Sequence, residues 1–224
     1  MAIKIKKTSD IVNQGVKCVV YGGAGVGKTR LCATAPRPII ISAESGLLSL
    51  ADVDVDYIEI SKLSQLDEAY RALKASDEYD TICLDSLSEI CEVLMEEFLP
   101  NHKDARQAYG EMARSVVPML RKFRDIKGKN TVFTSKLISI KDEDSGKVTE
   151  ELFLPGKVLS NQVPYMVDEL FCLRTDRKGN PILQTQPDRT RFCKDRSGAL
   201  KPEETEMDLT KIFERIMEKS GKET

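Results

Sequence analysis

Over the first 135 residues, short runs of apolar and β-branched residues alternate with stretches of helical period. The runs at 16–21 (VKCVVY), 38–42 (PIIIS), 81–84 (TICL) and 131–135 (TVFTS) are too short for helices and read as buried strands. Residues 55–60 alternate and suit an edge strand. Between these runs the spacing predicts helices. One starts at Lys28 and stops near Pro36 and Pro38. A second covers 64–75, capped by Ser64, with Leu66, Ala69 and Leu73 on one face. A third follows Asp85 and carries Leu87, Ile90, Cys91, Leu94, Met95 and Phe98. A longer one covers 105–126, with Tyr109 on its apolar stripe and Pro118 expected to kink it or start a new helix. After residue 135 the pattern becomes hairpin-like, with Asp144-Ser145-Gly146 and Lys178-Gly179-Asn180 as tight turns. Leu209, Ile212, Phe213, Ile216 and Met217 form a closing amphipathic helix.

Strand–helix alternation predicts an α/β fold, a mostly parallel central sheet with helices on both faces. The later hairpins extend it as a C-terminal antiparallel addition. One domain over residues 1–224 is expected: a βα core at 1–135, a hairpin extension at 136–203 and a C-terminal helix at 204–224. The chain's 224 residues suffice for one sizeable α/β domain. No apolar run is long enough to span a bilayer, and the first ten residues lack the apolar core of a secretion signal. The six cysteines include no C-x-x-C pair and sit mostly in apolar runs, so reduced thiols, no structural zinc and a cytoplasmic location are expected. His102 stands alone among charged neighbours and is read as a surface residue. The net charge of −2 conceals two basic stretches, 101–136 and 171–201, which are either solvated faces or a surface for nucleic acid.

Chemistry concentrates at Gly22-Gly23-Ala24-Gly25-Val26-Gly27-Lys28-Thr29, a complete G-x-x-x-x-G-K-[ST] loop between a predicted strand and a predicted helix. Glycines let successive backbone N–H groups turn toward phosphate oxygens, and the following helix adds the positive end of its dipole. Lys28 is placed to reach the β- and γ-phosphates, and the Thr29 hydroxyl to bind Mg²⁺. ATP and Mg²⁺ are therefore the expected cofactors. A second metal-side residue is expected at the end of another buried strand; Asp85 fits, although it could instead only cap the next helix. Glu44 follows the IIIS strand at its C-terminal end, where ligands sit in open α/β sheets, and is the candidate base for the attacking water. Tyr109 could stack on a base, but its place on the apolar stripe predicts a core position.

GGAGVGKT, then IISAESG, then ICLDS resemble, in this order, the RecA-type ATPase core. In RecA-like proteins the glutamate of the middle segment is the catalytic base, which again indicates Glu44; Ser42 stands where an aspartate is commoner. ATAPRPIIISAESG, DSLSE, KDEDSGKVTEELFLPGK, LQTQPDRTRFCKDRSGALKPEE and the last helix resemble phage and prophage ATP-binding proteins on a shortened RecA core, including single-strand annealing recombinases. The resemblance implies a RecA-like P-loop NTPase fold, self-assembly into a homo-oligomer, single-stranded DNA as ligand, a single-strand binding protein as partner, and no membrane association. It places Ser135 at the nucleotide. Such proteins often carry histidine in a T-x-H arrangement after the fourth strand; Thr134-Ser135-Lys136 puts lysine there, which implies slow hydrolysis.

Lys194 and Arg196 flank Asp195, and alternate residues of a strand share a face. Their spacing resembles a pair in ring-forming RecA-like helicases that reaches across the subunit interface, so they are expected to touch ATP held by a neighbouring copy or else to form an ordinary basic hairpin. Three functions follow: a DNA-recombination ATPase, an ATP-gated interaction module with little turnover, and a small-molecule kinase.

Overall fold

The computed structural model describes residues 15–43 and 47–221. Its centre is β1 (Lys17–Gly22), buried at every position. Alternate side chains of β1 enter different cores: Val19 and Tyr21 one, Cys18 and Val20 the other. Six strands lie parallel in the order β7 (Glu169–Thr175), β1, β5 (Asn130–Lys141), β4 (Thr81–Leu84), β2 (Pro38–Ser42) and β3 (Asp56–Glu59). Antiparallel strands finish the sheet beyond β7: β8 (Pro181–Gln184) and then β10 (Glu203–Glu204). β6 (Val148–Phe153) pairs with the outer half of β5, and β9 (Lys194–Asp195) with the start of β7.

Helices cover both faces. α2 (Leu63–Ala75), α3 (Leu87–Phe98), α4 (Ala105–Arg124) and α5 (Lys157–Met166) pack on the face that receives Tyr21, Ile82, Leu84 and Phe133. α1 (Lys28–Cys32) and α6 (Leu209–Lys219) pack on the face that receives Cys18, Val20, Ile40, Cys83 and Val132. The mostly parallel α/β architecture is as the sequence pattern predicts.

Four local expectations are corrected. The segment 136–203 is more than a hairpin extension, because β7 within it lies beside β1 in the parallel core and α5 supplies the crossover that such a strand needs. α5 is weakly helical by composition, with Ser160, Asn161, Val163 and Pro164 in ten residues, and escapes periodicity alone. α4 continues through Pro118 instead of starting a second helix there, and the exposed position of Pro118 leaves the freed carbonyl one turn earlier open to water. Tyr109 is 40% exposed, at the rim where its ring meets Gly156. His102 is half-buried with its ring against the Glu111 carboxylate.

At the start of β7, Glu169 is only 1% exposed and stands across from Asp195 of β9. Burial, then the neighbouring Asp195 carboxylate, pushes Glu169 up to about 8. Although burial opposes it, Asp195 is held below the usual range by bonds from Ser197 Oγ at 2.5 Å, Gly198 N at 2.8 Å and Leu200 N at 3.1 Å. The pair therefore holds one proton near neutrality, on Glu169. A raised carboxyl stabilises the fold fully below its unfolded value of 4.5 and loses that contribution as pH rises toward about 8. Thermal melting should accordingly fall across that window, and Glu169→Gln should flatten the fall; a wild-type slope identical to that of the variant would exclude Glu169 as the cause.

Candidate functional site

The loop between β1 and α1 begins with a constraint of packing. A Cβ on Gly22 would lie 2.3 Å from the Leu173 carbonyl oxygen of β7, so only glycine lets β1 leave the sheet this close to its neighbour. Gly25 and Gly27 follow with φ of 73° and 100°, the left-handed region that glycine enters without strain. The resulting turn brings Lys28 back over its own start, where Nζ donates to the carbonyls of Gly22 at 3.0 Å and Gly23 at 2.8 Å. α1 is only five residues long. What the turn offers an anion is thus mainly local, the loop N–H groups and the Lys28 charge, with a smaller share from the helix dipole.

The same face of the sheet aims two more groups at this loop, where Thr29 of α1 meets them. β4 places Cys83 toward α1, so by strand alternation Asp85 follows on that side, 5% exposed, its N–H held by the Ile41 carbonyl at 2.9 Å. Thr29 Oγ1 donates to Asp85 Oδ2 at 2.6 Å. Thr134 of β5 donates from its hydroxyl to the other carboxylate oxygen, Oδ1. β5 lies between β1 and β4, so Thr134 bridges the gap between the loop strand and the carboxylate strand. A hydroxyl and a carboxylate at this spacing are the oxygen donors a hard divalent cation takes, with phosphate oxygens completing its shell. Among the described residues no group of three or more His, Cys, Asp or Glu side chains could hold a metal without such help. The residues present therefore fit nucleotide and metal together.

A family profile described as "AAA domain" matches residues 14–197. The chain belongs to the AAA domain family. It is a nucleotide-binding P-loop ATPase, and its α/β fold is the one that family implies. No curated protein matches the sequence.

Other residues singled out in the sequence fall at different places in this AAA domain. Glu44 lies outside the described residues. Ser135 does not face the loop: Phe133 and Ser135 lie on the α3–α4 side of β5, where the Ser135 hydroxyl donates to the Phe153 carbonyl at 2.8 Å and meets Ser88 Oγ at 3.2 Å. The strand's two-residue period gives the α1 side to Thr134 instead. Lys136 stands across from Gly22 in the β1–β5 register, and its ammonium is held by Glu89 at 2.7 Å and Glu92 at 2.6 Å on α3. Burial works against its charge, but these two carboxylates keep its pKa above the ordinary lysine value.

Only Lys194 of the Lys194–Arg196 pair lies in β9. Both meet the junction between α5 and β7, at the end of the parallel strands away from their own phosphate loop. Lys194 Nζ donates to the carbonyls of Pro164 and Val167, each at 2.6 Å, and Arg196 pairs with Asp168 at 3.4 Å.

Thr134 is the site residue that sequence reading missed, although its signal was the alternation of TVFTS, which puts Val132 and Thr134 on one face. Replacing it with isosteric valine leaves one oxygen of a buried carboxylate without its donor. A bond to a charged acceptor is worth about 1.5–3 kcal/mol, so Thr134→Val should raise the Mg²⁺ concentration needed for nucleotide binding by roughly tenfold or more. Calorimetric nucleotide titrations across a Mg²⁺ series measure this, and an unchanged Mg²⁺ requirement would show that Thr134 does not orient Asp85.

Proposed function

We propose that this AAA domain is an Mg²⁺-dependent ATPase of phage-type DNA recombination, working as a homo-oligomer that binds or anneals single-stranded DNA alongside a single-strand binding protein. The observation that carries the ATPase half is the convergence of Lys28, Thr29, Asp85 and Thr134 at one mouth of the sheet. Lys28 binds the β- and γ-phosphates, Thr29 and Asp85 hold the cation, and Thr134 fixes the carboxylate. Bound Mg²⁺ neutralises charge on the phosphate oxygens. Glu44 remains the proposed base for water. Glu44→Gln keeps shape but cannot take a proton, so ATP binding should persist while hydrolysis falls roughly 10²-fold or more. Single-turnover hydrolysis beside a binding titration separates the two, and wild-type hydrolysis in the variant would place the base elsewhere.

The DNA half is supported by the resemblance of the late segments and by a basic groove of about 780 Å³ between α2 and α4. Many cations of the two basic stretches are already engaged: Arg124 with Asp125, Lys136 with Glu89 and Glu92, Arg174 with Glu203, Arg191 with Glu150. Among the described residues, Lys74, Arg121 and Lys127 form no ion pair, and with Lys122 they line this one groove around Tyr70. Lys74 and Lys122 lie 5.8 and 5.6 Å from the Tyr70 ring centre. Such a groove tracks a phosphate backbone electrostatically. Arg196 and Lys194 stay proposed as groups donated to a neighbour's nucleotide; of the two, Arg196, half exposed and held by one long pair, is the freer to reach it.

The alternative, an ATP-gated interaction module with little turnover, is favoured by one observation: the Lys136 ammonium at the sensor position is bound to two glutamates. ATPase rate with and without single-stranded DNA decides between them. Stimulation that Arg121→Glu and Lys122→Glu abolish, with a log–log salt slope shrinking by about 0.7 per lost phosphate contact, supports the recombination reading. A flat, low rate at all DNA concentrations, with no binding at low salt, supports the module.

A further inference from the structure

Directly beside the phosphate loop, the α1 flank opens into a slot of about 340 Å³. Val26 and Gly27 belong to both the loop and the slot, so a ligand whose phosphates occupy the turn has its remaining atoms delivered here. The walls come from five separate parts of the chain: Val26 of the loop, Leu31 of α1, Val53 of the segment before β3, Leu173 and Pro181 of the β7–β8 hairpin, and Met207 of the segment before α6. These are apolar, and a slot of this size with such walls suits a flat heteroaromatic ring with its sugar.

The polar side chains at the slot are already committed. Arg30 donates to both carboxylate oxygens of Asp52, at 2.8 and 3.0 Å, and to the Ser49 carbonyl at 2.8 Å. Thr34 Oγ1 donates to the Leu31 carbonyl at 2.7 Å and accepts from Leu209 N at 2.9 Å. The Arg30 guanidinium keeps spare N–H groups, but its orientation is fixed by Asp52 and Ser49, and the Thr34 hydroxyl hydrogen is spent on Leu31, so neither side chain is built around the edge of a ring. The Thr34 bonds, joined by Thr210 Oγ1 donating to the Thr34 carbonyl at 2.8 Å, fasten the start of α6 to the end of α1 and hold Met207 over the slot. Met207 lies beyond residues 14–197, the part of the chain that matches the family.

We infer that this slot is the nucleobase site, that Met207 from outside the matched segment closes it, and that it selects a purine by shape rather than by hydrogen-bond pattern. The inference rests on the phosphate-loop reading and deepens it. A pocket that does not hydrogen-bond the group that distinguishes two ligands separates them poorly, whereas one built on such bonds separates them by several orders of magnitude. Adenine and guanine differ mainly in edge groups, so both should be accepted.

The test is calorimetric titration, with Mg²⁺ present, of ATP, GTP and inorganic tripolyphosphate against four chains: wild type, Lys28→Ala, Met207→Glu and Val53→Arg. Thermal melting confirms that each is folded, and the two wall variants come from independent segments so that one can stand in for the other. Wild type should bind ATP and GTP within about tenfold of each other, and both at least about tenfold more tightly than tripolyphosphate. Met207→Glu and Val53→Arg should bring the nucleotides down to the tripolyphosphate level and leave tripolyphosphate itself unchanged. Lys28→Ala should lose all three. Retained binding in Lys28→Ala overturns the phosphate-loop reading. Loss in Lys28→Ala with wild-type ATP affinity in both wall variants overturns the slot alone. A preference for ATP over GTP beyond roughly 10²-fold overturns selection by shape.

Discussion

Everything at the mouth of the sheet depends on the Asp85 carboxylate and the two hydroxyls it collects. One comes from the helix after the phosphate loop and one from β5, the strand that separates β1 from β4. A buried carboxylate is costly unless its lone pairs are satisfied. Here the satisfying groups are the ones that fix the loop's first helical turn and the central strand, so the cost of burying the charge is offset by registering three elements against one another. The parallel register of β1, β5 and β4 supplies the coarse alignment, and the carboxylate the fine one.

How much of this was legible in the chain varies with the physics involved. The phosphate loop reads directly, because its turn passes through positive φ at Gly25 and Gly27, a local demand that glycine meets without strain. The strand ending in Asp85 reads almost as well, since a run of four buried residues stops at a charge. Thr134 was harder. Its role depends on which strand lies between β1 and β4, and strand order is a tertiary property that periodicity does not carry. Ser135, which the resemblance puts at the nucleotide, is one residue on and so turns its hydroxyl to the opposite face, toward Phe153 and Ser88.

The later half of the chain shows the limit from another side. Asp144-Ser145-Gly146 and Lys178-Gly179-Asn180 announced hairpins correctly, because turn chemistry is local. The helix α5 between them did not announce itself, since its residues are poor helix formers and its helicity comes from packing Leu159 and Val163 into the core. Without α5 there is no crossover, and without a crossover β7 could not be read as a parallel partner of β1. The basic stretches likewise resolved only in three dimensions, where ion pairs engage Arg106, Lys122, Arg124, Lys136, Arg174, Arg191 and Arg196, while Arg121 and Lys127 line the groove beside Tyr70.

β5 carries a mechanical implication. Its twelve residues contain neither glycine nor proline, and they run from the sheet centre into the hairpin with β6. From Thr134 at the carboxylate to Lys141 at the hairpin end is about 23 Å of continuous strand. β1 holds this strand as far as Lys136, and beyond it β6 is its partner, so the exposed Ile138, Ile140 and Val148 stand on a two-stranded arm continuous with the strand that carries the Asp85 donor.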